Sequence, residues 1–119
     1  MSTIDVKKVK LWNINPGVKL GVMGIGERMT LTYSIHESGS LIPKHKHIHE
    51  QLGYCLQGEA IYKIGDQKVN LKKGYGFVIP SNTMHSAKII SKEELLLVET
   101  FSPPRPDLIK GEFAPDKYK

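Results

Sequence analysis

Polar and apolar residues alternate along most of this sequence, from Lys10 to Ser102. Within short runs, β-branched and aromatic side chains occupy every second position, and glycine or asparagine separates one run from the next. This period of two is typical of strands with one buried face, and no capping residue opens a sustained 3.6-residue apolar pattern. The chain is therefore predicted to be all-β, a sandwich or barrel of many short strands.

The alternation places six strands, and Gly65-Asp66 is predicted to turn one of them into the next. Met29, Leu31, Tyr33 and Ile35 share one face of the first. Four prolines follow Ser102, so an extended tail over residues 103–119 is expected to leave a barrel of about residues 10–102. The predicted strands cover residues 29–35, 60–64, 68–71, 74–79, 86–90 and 95–101.

Length and composition exclude several classes of protein. The 119 residues suit one domain, 1–119, that folds without cross-links. The single cysteine excludes an internal disulfide, and the N-terminus has no signal-peptide pattern, so we expect a cytoplasmic protein. No run approaches the ~20 apolar residues of a membrane span. The net charge of +5 comes from scattered lysines without interleaved aromatics, which argues against nucleic acid as a partner.

A cluster of histidines predicts a metal site. His45 and His47 are two residues apart, so on a strand they point to the same face. A tight turn after His47 would place Gln51 opposite this pair, and His85 would arrive from a distant strand. Imidazole nitrogens with one amide oxygen suit a divalent transition metal, without distinguishing zinc, nickel, manganese, iron or copper.

Some neighbours of these residues leave alternatives open. Glu50 competes with Gln51 for the fourth position, because a carboxylate is the more usual oxygen ligand, although strand register favours Gln51. His49 falls where the turn must occur, which favours an exposed or supporting role. His36 has no partner nearby in the sequence and is interpreted as structural. With Gln51 the ligand set is neutral, which favours Lewis-acid chemistry on a small anionic substrate.

The residues resemble the two motifs of the cupin superfamily, which are small jelly-roll β-barrels. Asn82 stands where the second motif usually has glycine, but asparagine also tolerates a left-handed backbone. Gln51 stands where many members carry glutamate, which points to members with a His-His-Gln-His metal shell. The first motif falls on Gly39, His45, His47, Gln51 and Gly58, and the second on Gly74, Pro80 and His85.

Within the superfamily the chain is most similar to the small uronate-linearising cupins of pectin and alginate breakdown. The similarity includes residues 17–19, 45–51 and 101–105. It implies a metal-dependent, isomerase-type enzyme that opens or tautomerises an unsaturated uronate. An aspartate, a phenylalanine and an arginine of that family are implicated in catalysis or substrate binding, and they fall here on Glu99, Phe101 and Arg105. The extra methylene of Glu99 moves its carboxylate by about an ångström, enough to alter the reaction.

The catalytic candidates also have a physical interpretation. Glu99 is the single acid in an apolar strand, so desolvation should raise its pKa toward neutrality, unless it lies on an edge strand facing water or holds a ligand histidine. The guanidinium of Arg105 suits a substrate carboxylate, or else a surface ion pair. Phe101 and Tyr33 would wall the cavity or pack in the core.

Other functions and the state of assembly stay open. A dioxygenase or polyketide-cyclase-like enzyme with the same metal shell is one alternative, and a non-catalytic metal- or small-molecule-binding module is another. Gly53 and Cys55 share the face of Gln51 and are expected to leave open volume near the metal. The opposite face carries apolar residues that the other sheet, an N-terminal strand or a second subunit must cover, and we expect a homodimer. These residues are Leu52, Tyr54 and Leu56.

Overall fold

The computed structural model describes residues 3–108 and consists almost entirely of β-strands, as the alternation predicted. The predicted strands correspond to six of the observed ones with ends shifted by one or two residues, and Gly65-Asp66 does form a turn. Short 3₁₀ helices cover Val6–Lys8 and Pro106–Leu108. The strands are β1 Trp12–Asn15, β2 Val18–Ile25, β3 Thr30–His36, β4 Leu41–His45, β5 Glu50–Gln57, β6 Glu59–Ile64, β7 Gln67–Lys72, β8 Gly76–Ile79, β9 His85–Ile89 and β10 Leu95–Ser102.

The strands form two antiparallel sheets that face each other. One has six strands in the order β1-β2-β3-β10-β5-β8, and the other has four in the order β4-β9-β6-β7. Strands β4 and β5 therefore belong to different sheets. The expected tight turn after His47 is wrong, because residues 46–49 carry the chain from one sheet to the other. A crossing of this kind is set by long-range pairing, which local spacing does not encode.

The hydrophobic core lies between the sheets. Leu71, Ile79, Ile89, Leu95 and Leu97 point into it, and each is at most 1% exposed. Burying one such side chain contributes about 1.5–3 kcal/mol, so these five hold the sheets together. This core fills only part of the space between the sheets, and a cavity occupies another part.

Strand β3 has its polar face inside the molecule. Thr30, Thr32, Ser34 and His36 are all at most 3% exposed, whereas the alternate residues face outward and are half-buried. Tyr33 belongs to this outer set and does not line the cavity. Its expected place in the cavity wall is therefore wrong, because the apolar side of this strand is the outer one.

The volume above Gly53 is filled, contrary to expectation. Gly53 pairs with Phe77 across β5 and β8, and a Cβ atom at Gly53 would collide with the Phe77 ring. Cys55 is fully buried in the same core cluster as Phe77. The glycine makes room for a core aromatic rather than for a ligand. Asn82 has a φ of 57°, the left-handed conformation expected at this position.

The chain after Ser102 does not simply extend away from the sheets. The backbone N–H of Arg105 donates to Oγ1 of Thr30 at 2.8 Å, and Pro106–Leu108 contacts β2. Residues 103–108 thus return over the cavity, and the rest of the predicted tail lies outside the described residues. Within residues 3–108, no helix has the length and apolar character needed to cross a membrane.

Candidate metal centre and cavity

Three histidines meet between the sheets. His45 ends β4 and pairs directly with His85 at the start of β9, while His47 follows two residues later in the crossing segment. One ring nitrogen from each lies within 4.8 Å of the others. The structure therefore brings together the three histidines that the sequence singled out, and they could hold a metal ion.

Backbone carbonyls fix the orientation of all three rings. In each case Nδ1 lies at hydrogen-bonding distance from a carbonyl oxygen two residues away, so the neutral ring carries its proton on Nδ1 and presents the Nε2 lone pair. Such outer contacts are the usual way in which proteins orient metal-binding imidazoles. The pairs are His45 with Pro43 at 2.7 Å, His47 with His49 at 2.9 Å, and His85 with Thr83 at 2.8 Å.

The donor set fits a borderline divalent cation. Nε2 of His85 is buried and has no hydrogen-bond partner, which is costly for a polar atom unless something else occupies that direction. Burial lowers the pKa of His47 and His85, and so favours the neutral rings that bind metals. Neutral imidazoles suit zinc, nickel, copper or iron.

Gln51, rather than Glu50, faces the histidines. Gln51 is 7% exposed and its Oε1 lies 3.1 Å from Nε2 of His47, whereas Glu50 is exposed on the other face of β5. When His47 carries its proton on Nδ1, these two atoms confront each other as lone-pair acceptors. A cation between them would relieve the repulsion. The amide nitrogen of Gln51 points away and donates to the carboxylate of Glu99.

Glu99 is buried in the middle of the six-stranded sheet. It lies on β10 between β3 and β5, which excludes the edge-strand alternative, and it is 5% exposed. Burial raises its pKa to about 7, although hydrogen bonds from Gln51 and Ser34 and the charge of Arg105 act in the opposite direction. The predicted acid inside an apolar strand is thus a carboxyl group held away from water.

Arg105 and Phe101 lie at the same cavity. The guanidinium carbon of Arg105 is 5.0 Å from the centre of the Phe101 ring, and that ring is 5.9 Å from the His47 ring. Arg105 also forms an ion pair with the exposed Asp107, at 2.8 Å. Both interpretations of Arg105 therefore describe part of its surroundings, since it faces the cavity and has a surface partner.

These side chains surround a cavity of about 230 Å³. Residues from both sheets line it, and the turn after β10 contributes Arg105 and Leu108. The volume lies below the range of about 300–1,000 Å³ common for drug-sized ligands, so a small molecule suits it.

Two cavity residues were not recognised from the sequence. His36, expected to be structural, has its Nε2 2.9 Å from Oγ of Ser34, and both side chains line the cavity. The available signal was the series of polar residues at every second position of β3. His49 is half-buried; its carbonyl oxygen lies 2.9 Å from Nδ1 of His47, and its ring packs edge-on against the His47 ring with centroids 5.4 Å apart.

Two facing antiparallel sheets with an inner histidine cluster define a jelly-roll protein with a candidate metal site. The Cupin domain family matches residues 32–101, more than half of the chain, and the protein belongs to that family. This confirms the resemblance seen in the two histidine motifs.

Solved structures with the same fold include several proteins that the alignment covers almost completely. KdgF from Halomonas sp. is 26% identical with a TM-score of 0.82, over 90% of this chain and 97% of its own. An RmlC-like cupin from Shewanella frigidimarina is 23% identical with a TM-score of 0.81, over 90% and 95%. A predicted oxalate decarboxylase from Thermotoga maritima is 17% identical with a TM-score of 0.76, over 86% and 98%. No curated protein matches the chain significantly.

Proposed function

We propose that this protein is a metal-dependent enzyme that opens or tautomerises the ring of a small anionic sugar, such as an unsaturated uronate. The observation that carries the proposal is the placement of a buried carboxyl group, Glu99, and a guanidinium group, Arg105, around the same cavity as the histidine cluster. The resemblance to uronate-linearising cupins and the similarity to a KdgF structure support the choice of substrate.

Four side chains would hold one divalent transition metal ion: His45, His47, His85 and Gln51. When bound, the ion would supply Lewis-acid chemistry by polarising a hydroxyl or carbonyl oxygen. All four ligands are neutral, so the full charge of the ion would be available to attract an anionic substrate.

Arg105 would bind the substrate carboxylate. A guanidinium group forms two parallel hydrogen bonds with a carboxylate. The Arg105 guanidinium carbon lies 5.0 Å from the centre of the Phe101 ring, which packs against it. Its present partner Asp107 has a side chain 58% exposed. Ion pairs this exposed are worth about 0–1 kcal/mol, so a substrate can replace Asp107 at little cost.

Glu99 would transfer protons. Opening a cyclic hemiacetal moves one proton from the anomeric hydroxyl to the ring oxygen, and the enol-to-keto shift that follows moves one from oxygen to carbon. The net change is an isomerisation that consumes no oxidant or reductant. A carboxyl group buried in the cavity is suited to accept and return such protons, because bulk water does not compete.

The direct test incubates purified protein of known metal content with 4,5-unsaturated galacturonate. We expect the alkene absorbance to disappear and the NMR spectrum to show an open-chain keto product. His47→Ala protein is the control for metal-independent opening. Unchanged substrate with metal-loaded protein would overturn the proposal, and oxygen consumption would favour the dioxygenase alternative.

We also propose that the protein forms a homodimer through the outer face of β5 and β8. Leu52, Tyr54 and Val78 are 44%, 49% and 52% exposed there, and nothing in the described chain covers them. Light scattering should give twice the chain mass, and Tyr54→Glu should give a monomer. Leu41→Glu is the matched control, since Leu41 is 57% exposed on the other sheet and should leave the dimer intact.

A further inference from the structure

The inner face of β3 carries a polar pair next to the candidate site. Ser34 and His36 are 1% and 3% exposed, and Nε2 of His36 lies 2.9 Å from Oγ of Ser34. Polar groups buried this deeply are retained at a cost unless they are hydrogen-bonded. The hydrogen-bond partners of Ser34 and His36 therefore indicate the role of these two residues.

The pair is connected to Glu99. Ser34 is opposite Leu97 in the ladder between β3 and β10, which makes Glu99 its diagonal neighbour on the same inner face. The hydroxyl of Ser34 lies beside the Glu99 carboxyl group and lowers its pKa as a hydrogen-bond donor would, and this carboxyl group accepts from the amide nitrogen of Gln51. A continuous chain of side chains thus runs from His36 to Gln51.

We infer that Ser34 and His36 are positioning residues whose buried hydrogen-bonded chain, through Glu99, orients the amide of Gln51 toward the histidine cluster. The amide has two ends, and only one of them can face a cation. Because Glu99 accepts from the nitrogen, the oxygen is left 3.1 Å from Nε2 of His47. This inference rests on the proposed metal-binding role of Gln51.

The hydrogen bonds from His36 through Ser34 to Glu99 have a defined donor-to-acceptor direction. Ser34 has one hydroxyl proton, and when it is donated to the Glu99 carboxylate, the Ser34 oxygen must accept from His36. Neutral His36 then carries its proton on Nε2. This tautomer agrees with the surroundings of the ring, because Nδ1 is buried without a partner. An unpaired acceptor there is less rare, and less costly, than an unpaired N–H donor.

The first test uses NMR of the metal-free protein. The long-range ¹H–¹⁵N spectrum of the His36 ring should show a proton on Nε2 and none on Nδ1. The side-chain NH₂ signals of Gln51 should shift toward the position of a free amide in Ser34→Ala protein. A proton on Nδ1, or Gln51 signals that do not respond to Ser34→Ala, would overturn the inference.

The second test measures the dissociation constant for Zn²⁺ against a competing chelator. Ser34→Ala should weaken binding by less than the roughly 10–100-fold that losing a direct outer contact of a metal ligand costs, because Ser34 acts on Gln51 through Glu99. Ser34→Thr restores the hydroxyl and should restore the affinity. Thr32→Val is the matched control, because Thr32 is equally buried but its hydroxyl donates to the backbone carbonyl of Glu99 and not to its carboxyl group. Equal zinc affinities in the wild type and the three variants would contradict the proposed positioning role of Ser34.

Neither test uses a sugar, so the outcomes separate the two proposals. If Ser34→Ala weakens zinc binding but the wild type leaves unsaturated galacturonate unchanged, the enzymatic proposal fails and the positioning role stands. If the wild type opens the sugar and Ser34→Ala matches it in zinc affinity and in the Gln51 spectrum, the positioning role fails alone.

Discussion

His45 and His85 are direct partners across β4 and β9, and their ring centroids lie 4.2 Å apart. The antiparallel ladder of one sheet therefore sets the distance between them. Each ring is also fixed by a carbonyl two residues earlier in the chain. Two of the three imidazoles are thus held in place by the backbone before any ion binds.

Removing either partner should abolish this arrangement. We expect His45→Ala and His85→Ala each to weaken Zn²⁺ binding by more than about 100-fold, since losing an outer contact alone typically costs 10–100-fold. His49→Ala is the matched control, because it removes a ring that packs against His47 but keeps the carbonyl that holds Nδ1 of His47. Competition with a chelator measures all three affinities. An equally large loss in His49→Ala would place its ring, rather than its backbone, in the site.

Glu99→Gln should separate metal binding from turnover. Glutamine can still accept a hydrogen bond from Gln51 but cannot transfer a proton as a carboxyl group does. We expect the variant still to bind zinc, and its kcat for the uronate to be lower by about 100-fold or more, the usual contribution of general acid–base catalysis. The measurement is the rate of alkene loss at saturating substrate. Full activity of this variant would remove Glu99 from the mechanism.

Arg105→Lys should weaken substrate binding. Lysine keeps the positive charge but cannot form the planar pair of hydrogen bonds, and losing one charge-assisted hydrogen bond costs about 1.5 kcal/mol. The KM for the uronate should rise about tenfold. Arg28→Lys is the control, since Arg28 is the only other arginine and is exposed. An unchanged KM in Arg105→Lys would restrict Arg105 to its ion pair with Asp107.

The buried His36 should make the stability of the metal-free protein sensitive to acid. Burial lowers the pKa of His36 from 6.5 to about 4. Between these values the unfolded chain binds a proton that the folded chain does not, so the free energy of unfolding falls as the pH falls. The full effect is about 3 kcal/mol, and it is complete once the pH is below 4.

Glu99 has the opposite sign in the same experiment. Its pKa is raised from 4.5 to about 7, so its contribution to stability is present below 4.5 and is lost as the pH rises through 7. Comparing wild type with His36→Gln isolates the histidine. Urea unfolding should show a smaller acid-induced loss of stability in His36→Gln, and identical pH profiles of the two proteins would contradict the prediction.

The strands were predictable because their alternation is regular. Thr30 to His36 alternates strictly between polar and apolar residues, and the Gly65-Asp66 turn has its usual residues, so both followed from local chemistry. The histidine positions were also predictable, since the motif spacing matches a known family. What local pattern does not contain is the sheet to which a strand belongs, and β4 and β5 were therefore predicted to be neighbours when they are not.

The polar interior was the harder part to predict. In β3 the apolar residues Leu31 and Ile35 lie outside, while Ser34 and His36 lie inside. Burying the apolar face is the ordinary expectation for a strand. It fails here because the inner face borders a cavity and its polar groups find partners on β10, a strand more than fifty residues away in the chain.

The crossing of residues 46–49 from one sheet to the other has a mechanical consequence. His45 and His85 belong to the four-stranded sheet and Gln51 to the six-stranded one. An ion bound by all three would therefore cross-link the two sheets. Separation of the two sheets on unfolding would then also release the ion. Because an ion that binds only the folded state raises the free energy of unfolding, the bound metal would also stabilise the fold as a whole.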